Sequence, residues 1–487
     1  MPAQAGIFIL RYSTAMNDFS RTTLDPLDWS EIRSLGHRMM DDMVDHLAGL
    51  RDGPVWRPMP GAVRAAFSAP LPAAGRDLAG LYQEFGKNIQ PYVTGNTHPK
   101  FMGWVHGGGN PVAMLAQLLA GAMNANCGGR DHVGIAVERQ VIAWAAQMVG
   151  MPASTSGVLL TGSSMANFVA VLCAKYRALG TAGREAGVSG QKLVAYSAAG
   201  VHRCVPGALD MAGLGLQALR KIPVGSDYRM NIAALRDTIA ADRAAGFTPF
   251  LVVGTAGTVD VGAIDDLAAI ADIAADQKIW FHADAAFGAL ACLSPKLKPR
   301  LAGIERADSV AFDFHKWAQV SYDAGCVLVR DAALQRATFS QATGYLAAAE
   351  GLAGGQPWPC DLGPDLSRGF RALKIWMTIS AYGAEAFGAI VDKSCALAAH
   401  LAARVEASAI LELAAPVPLN IVCFRAKSQS DAQTGALVAA LQNEGLFAPS
   451  TTTIGGRLAI RAAIVNHRTE LADIDALVDE IERRVRA

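Results

Sequence analysis

The stretch GVLLTGSSMANFVAVL, from Gly157 to Leu172, sets a short unbroken apolar run against a Gly-Ser-Ser turn and then an amphipathic segment. Strand, tight turn and helix in that order are the unit of an α/β fold. A strand buried on both faces reads as continuous apolar sequence, whereas the helix covering it shows a 3.6-residue period. The alternation recurs downstream: KLVAYS before a helical GALDMAGLG, FLVVGTAG before DDLAAIADIAAD, then IWFHADAA, DSVAFDF and GCVLVR. The pattern predicts a mostly parallel sheet with helices on both faces. After Gly369 it changes to one long helix, with a bend expected near Gly383, followed by two alternating strands, LNIVCFRAK and RLAIRAAIV, and a charged closing helix. That tail reads as a smaller α+β domain.

Upstream, DWSEIRSLGHRMMDDMVDHLAGL carries apolar residues at helical spacing from Asp28 and is followed by a proline-rich connector. Such a helix cannot bury its apolar face alone, so it is predicted to pack on the main domain or on another subunit. The expected organisation is an N-terminal helical and extended segment over 1–105, a large α/β domain over 106–375 and a small α+β domain over 376–487. The first fifteen residues read as a leader.

Of 487 residues, 52% are apolar and 18% charged, with a formal net charge of zero. This composition excludes a disordered chain and gives no electrostatic footprint for nucleic acid or an anionic membrane. Eight cysteines lie scattered with no CxxC pair. Free thiols in a reducing cytoplasm explain them better than disulfides or zinc. GIFIL near the N-terminus is too short for a signal-peptide core, and no apolar run of membrane-spanning length escapes interruption by Gly or polar residues.

Four features bear chemistry. Ser163 and Ser164 follow Gly162 at a strand-to-helix turn, where free N–H groups and the positive helix end suit a phosphate; a plain N-cap is the alternative. Asp284 interrupts the apolar strand of FHADAAFGA, with the small residues Ala285 and Ala286 after it. A buried carboxylate must pair or shift its pKa, and a salt bridge to Arg300 or Arg306 is the structural alternative. Neither this Asp nor His282 has the further ligands a metal site needs. Lys316, in FDFHKW, is a candidate nucleophile toward carbonyls if it lies in a dry site, and otherwise a surface lysine at a strand end. His202, at a strand-to-helix crossover, could stack on a ring. Together these suggest one ligand, pyridoxal 5′-phosphate (PLP).

The ordered motifs HPKF, TGSSMAN, AYSAAGVH, GTAGTVDVGAIDD, HADAA, DSVAFDFHKW, FRALKIW and LAIRAAIV resemble the group II pyridoxal-phosphate-dependent decarboxylases, the aromatic-L-amino-acid decarboxylase family, from about Asp28 onward. The resemblance implies the fold type I, aspartate aminotransferase-like architecture and a homodimer with the active site at the subunit interface. It implies a Schiff base at Lys316, His202 stacked on the ring and Asp284 on the pyridine nitrogen. Ser163, Ser164 and His315 are implied at the phosphate, with Thr255 and Ala286 beside the ring.

Two departures from the family pattern shape the expectation. Family members carry a loop tyrosine that returns a proton to the substrate carbon, whereas no tyrosine lies between Tyr345 and Tyr382 here. His202, Tyr345 or water are then the candidate donors, and an oxygen-dependent aldehyde synthase becomes an alternative to a decarboxylase. In the expected substrate pocket stand Trp104, His106 and Arg130, with Gly128 where a phenylalanine is expected. That glycine reads as added space, so an aromatic or a polar side chain could be taken. Asp313 replaces the asparagine usual in animal members. Arg461, read as a carboxylate fork, would point to an aminotransferase instead.

Overall fold

The computed structural model of the chain describes residues 23–26, 28–340 and 350–487. The expected leader and Tyr345 lie outside the described residues. The chain forms two compact units, Met1–Phe101 with Ala439–Ala448, and Met102–Val438 with Pro449–Ala487.

In the first unit, α1 (Trp29–Ala48) starts at Asp28, whose side chain accepts the Ser30 amide as an N-cap. No residue of α1 is buried, although Trp29, Ile32 and Val44 are apolar. Its attachment within the unit includes the Tyr82 hydroxyl donating to Asp42 at 2.6 Å. The Val55 amide donates to the Gly445 carbonyl and the Ala448 amide to that of Lys100, which ties the late segment to the early one.

The second unit is built on a seven-stranded sheet: β1 (Ser156–Leu160), β2 (Leu193–Ala198), β3 (Leu219–Ile222), β4 (Thr248–Thr255), β5 (Trp280–Asp284), β6 (Ser309–Asp313) and β7 (Gly325–Val329). Their spatial order is β1-β7-β6-β5-β4-β2-β3, and β7 alone runs antiparallel to its neighbours. The sheet is therefore mostly parallel, as the apolar runs predict. Both faces are dry because alternate residues enter two different cores: Leu159 joins Phe281 and Phe312 on one side, Val158 and Leu160 join Val253 and Val327 on the other. Each such side chain contributes about 1.5–3 kcal/mol on full burial. The edge strand β3 escaped the sequence reading because LRKI mixes charge into the run, which an edge can leave in water.

Helices α2 (Pro111–Met123), α3 (Val133–Val149), α4 (Ser163–Ala186) and α5 (Arg371–Ala407) belong to this unit. In α5, Gly383 has φ 74° and ψ 159°, which places the expected bend at that residue. By length and composition alone α5 would pass for a membrane-crossing helix. Here its Ile375 and Val391 lie in the core of the sheet. A smaller antiparallel sheet sets Arg457–Ala463 between Ala448–Ile454 and Ile421–Ala426, with Leu411–Leu413 outside the latter. The two strands read from the sequence are both present. Ala448–Ile454 and Leu411–Leu413 were missed, because STTTI and LEL lack a clear apolar alternation.

Candidate active site

In a parallel sheet, chemistry gathers where the strands end at their carboxyl edge. Thr255 ends β4, Asp284 ends β5 and Asp313 ends β6; in register, Thr255 pairs with Asp284, and Asp284 with Ala311. The Asp313 amide donates to the Ala286 carbonyl at 2.9 Å, so the small residues after Asp284 bring the next strand end close.

Lys316 lies three residues beyond Asp313, and its Nζ is 2.9 Å from Asp313 Oδ2. The same Nζ reaches Ser163 Oγ at 3.5 Å, while the Ser163 amide donates to Asp313 Oδ1 at 2.6 Å. The serines do not cap α4, which begins with no side-chain cap. Ser164 is exposed at the helix start and Ser163 is buried. Next to Lys316, His315 accepts the Ala324 amide on Nδ1 at 3.0 Å, and burial pushes its imidazole down to about 4.

Asp284 is 3% exposed. Neither Arg300 nor Arg306 pairs with it: Arg300 donates to the Pro418 carbonyl and Arg306 bridges to Asp272. The carboxylate takes the Ala286 amide at 3.3 Å and has the Cys204 thiol 4.0 Å away. Burial raises its pKa, and the positive charge of Lys316, then that of His202, draws it back. His202 reaches solvent, and its Nδ1 accepts the Cys204 amide at 3.3 Å. The surrounding chain pushes its imidazole below the ordinary range, against the pull of Asp284.

Two further groups order this edge, and sequence reasoning named neither role. Asp265 is buried and accepts the amides of Thr255 and Met230 at 2.8 and 2.7 Å, which fixes the end of β4. His282 bonds Asn167 at 2.8 Å, and Asn167 in turn donates to the Ser163 carbonyl at 2.7 Å, locking β5 to α4. The asparagine of TGSSMAN was the available signal.

Over Lys316 runs the segment around residue 107, so tightly that a β-carbon on Gly107 would stand 2.4 Å from the Lys316 carbonyl oxygen. This segment carries Trp104 and His106, whose rings stack at 5.9 Å, and Tyr322 meets His106 edge-on at 6.0 Å and His315 at 4.2 Å. Tyr322, half-exposed, was not anticipated from the sequence. His106 is lowered by burial and then by the charge of Lys316, which places it in the same site.

Three sequence expectations change. Arg130 does not join this cluster among the described contacts; its guanidinium lies 4.9 Å over Trp358, where the indole face holds the charge. Gly128 adds no space, since a β-carbon there would sit 1.8 Å from the Leu366 carbonyl oxygen. Arg461 is no free fork: it is 3% exposed and donates to the carbonyls of Val259, Asp260 and Gly103. Those partners consume the donors that a transaminase needs for the substrate carboxylate.

The residues present fit a pyridine ring bearing an aldehyde and a phosphate. Asp284 is a buried carboxylate with one amide donor and no cation in contact among the described residues. Thr255 Oγ1 is buried without a hydrogen-bond partner among the described residues, and an unsatisfied hydroxyl of that kind costs about 1–3 kcal/mol unless a ligand meets it. A primary amine, a helix N-terminus and a buried acid at one sheet edge define the class: a PLP enzyme of fold type I.

The pyridoxal-dependent decarboxylase conserved domain matches residues 60–427. An aromatic-L-amino-acid decarboxylase of Bacillus atrophaeus is 31% identical over 477 residues, covering 93% of this chain and 97% of the relative. An L-2,4-diaminobutyrate decarboxylase of Rhizobium meliloti (strain 1021) is 31% identical over 424 residues, covering 86% and 84%. The crystal structure of Oryza sativa TDC with PLP and tryptamine superposes with a TM-score of 0.87 at 27% identity, covering 95% of this chain and 99% of that one. The chain belongs to the pyridoxal-dependent decarboxylase family, and its reaction is the PLP-dependent decarboxylation of an amino acid.

Proposed function

We propose that the chain decarboxylates an aromatic L-amino acid, or a close relative of one, to its amine and carbon dioxide, as a homodimer in the cytoplasm. The observation that carries the substrate class is the aromatic wall of Trp104, His106 and Tyr322 beside Lys316. A flat side chain gains about 0.5–1.5 kcal/mol per ring pair beyond the area it buries. The stacking of Arg130 on Trp358 argues against an acidic side chain as the preferred one.

When bound, the cofactor supplies an aldehyde that condenses with amines and a ring that draws electrons from a bond at the substrate α-carbon. Lys316 provides the amine that tethers it. Asp284, kept dry, would pair with the ring nitrogen and hold a proton there, and the Thr255 hydroxyl would meet a polar atom of the cofactor. Ser163, Ser164 and His315 would hold the phosphate, assisted by the N-terminal end of α4. Ala286 leaves room for a flat ring. His202, pushed toward the neutral form and anchored by the Cys204 amide, would stack on the ring and could hold a proton for return to the substrate. With Arg461 engaged by main-chain carbonyls, no arginine fork among the described residues would be left to clamp the substrate carboxylate. This favours carbon dioxide loss over amino transfer.

The dimer is supported by apolar surface left uncovered in each unit: Trp29, Ile32 and Val44 on α1, and Leu115, Leu118, Leu119 and Met123 on α2. The cytoplasm is supported by eight cysteines that are all free. Carbon dioxide release across the common amino acids tests the reading, with aromatic substrates expected to lead. Oxygen uptake with ammonia release would identify the aldehyde synthase instead, and an unaltered visible absorbance in Lys316→Ala would remove the lysine from its role.

A further inference from the structure

Tyr322 lies in the loop between β6 and β7, and that loop is closed at its base. The Phe314 amide donates to the Ala324 carbonyl at 2.8 Å, and the Val320 amide to that of Phe314 at 3.0 Å. The Tyr322 ring is held on two sides, 4.2 Å from the ring of His315 and edge-on to that of His106 at 6.0 Å. The next residue, Asp323, is gripped by Arg371 in the first turn of α5, with N···O separations of 2.9 and 3.4 Å. The fold thus sets the place of this ring, and a ligand that meets it has little ordering to pay for.

Its hydroxyl is the group left over. Tyr322 is 46% exposed, and its oxygen has no hydrogen-bond partner among the described residues. Burial and then the charge of Asp313 raise its pKa, so the phenol stays protonated and can both donate and accept. The polar side chains around it are committed elsewhere: Ser163, Asp313 and Lys316 bond one another, and His315 takes the Ala324 amide. Water satisfies a hydroxyl at a half-exposed position. A substrate ring seated against Trp104, His106 and Tyr322 excludes that water, and a bare hydrocarbon ring gives nothing back. A ring that carries its own hydroxyl replaces the lost bond. Packing alone separates rings that differ by one atom only weakly, whereas an unpaired polar group in the wall separates them well.

We propose that Tyr322 determines substrate choice within the aromatic class: its hydroxyl bonds a hydroxyl on the substrate's ring, so that the chain prefers phenolic amino acids to phenylalanine. The inference rests on the reading of this wall as the seat of the substrate's aromatic side chain. The bond is made to a part of the substrate several bonds away from the α-carbon. It is present when the substrate binds and still present while carbon dioxide leaves, so its effect falls mainly on KM.

The test uses the PLP-loaded enzyme, as wild type and Tyr322→Phe, with tyrosine, meta-tyrosine and phenylalanine, which differ only in the presence and place of one hydroxyl. Wild type should favour the better of the two phenols over phenylalanine about tenfold in kcat/KM, and Tyr322→Phe should erase that preference through KM. Calorimetric titration with 3- and 4-hydroxyphenylpropionate and with phenylpropionate reads the same preference without turnover, since none of the three has an amine to react. A wild type that favours phenylalanine overturns the proposal, a result that stands even if the variant does not fold. A variant that slows all three substrates equally, as a merely structural ring would, overturns it as well. So does one that keeps the preference but releases PLP more readily, which gives the hydroxyl to the phosphate. Carbon dioxide from a non-aromatic amino acid and from none of these three overturns the underlying reading of the wall instead.

Discussion

Arg368 and Glu138, 230 residues apart, form a two-pronged ion pair with N···O distances of 2.6 and 2.9 Å, and both side chains are almost wholly buried. The pair also ties main chain together. Glu138 accepts the Leu159 amide, while Arg368 donates to the carbonyls of Leu159 and Cys127. It thus joins α3, β1 and the start of the segment leading to α5.

Arg368→Ala is expected to lower stability by about 3–5 kcal/mol, because an unpaired carboxylate stays behind in a dry site. The double change Arg368→Met with Glu138→Leu should recover only part of this, since the amide of Leu159 and two carbonyls lose their partners. Urea denaturation of the three proteins checks it. Full recovery in the double variant would mean that those main-chain bonds contribute nothing.

Gly128→Ala should act on folding and not on substrate choice. A β-carbon would meet the Leu366 carbonyl oxygen at 1.8 Å, so the backbone must shift, at a cost of about 1–3 kcal/mol. The expected result is a lower melting temperature with KM little changed. A stable variant whose KM rises for bulky substrates would restore the glycine to the pocket.

Thr255→Val removes a buried hydroxyl that has no hydrogen-bond partner among the described residues. Stability without cofactor should hold or rise slightly, and PLP should dissociate about tenfold more readily, as for one lost hydrogen bond. Titration of the stripped protein by visible absorbance reads the affinity. An unchanged dissociation constant would remove Thr255 from the cofactor's surroundings.

His282 is fully enclosed, and burial pushes its imidazole down to about 4. Between that value and the ordinary one near 6.5 the unfolded chain binds the extra proton. The contribution of this group to stability is therefore intact above pH 6.5 and is lost as pH falls toward 4, by on the order of 3 kcal/mol. Asp265 and Asp284, raised by burial, act in the opposite direction, so the comparison must be between proteins. The acid limb of the stability profile should be shallower in His282→Asn than in wild type, by one proton's worth of slope. Equal slopes would show that the imidazole is already charged in the folded state.

Much of the site was legible because its chemistry is carried by residues that break the local pattern. Asp284 stands out in an apolar strand, Lys316 follows the end of another, and Gly-Ser-Ser marks a strand-to-helix turn. Arg461 and Gly128 were read differently from how they act, for a common reason. A guanidinium looks the same in sequence whether it meets a substrate or a carbonyl, and a glycine looks the same whether it opens a pocket or lets two backbones touch. Tyr322, Asp265 and His282 carried no signal of their position, since each gains its role from an element far along the chain.

By itself the sequence determined the α/β alternation, the strand ends that bear Thr255, Asp284 and Asp313, and the types of group available for catalysis, because periodicity and residue chemistry are local properties. Only the tertiary structure decided which donor meets which acceptor: that Asp313 answers both Ser163 and Lys316, that Arg461 is already engaged, and that Trp104, His106 and Tyr322 form one wall. The physical reason is that a hydrogen bond or ion pair depends on separations of about 3 Å, and those are set by how distant segments pack.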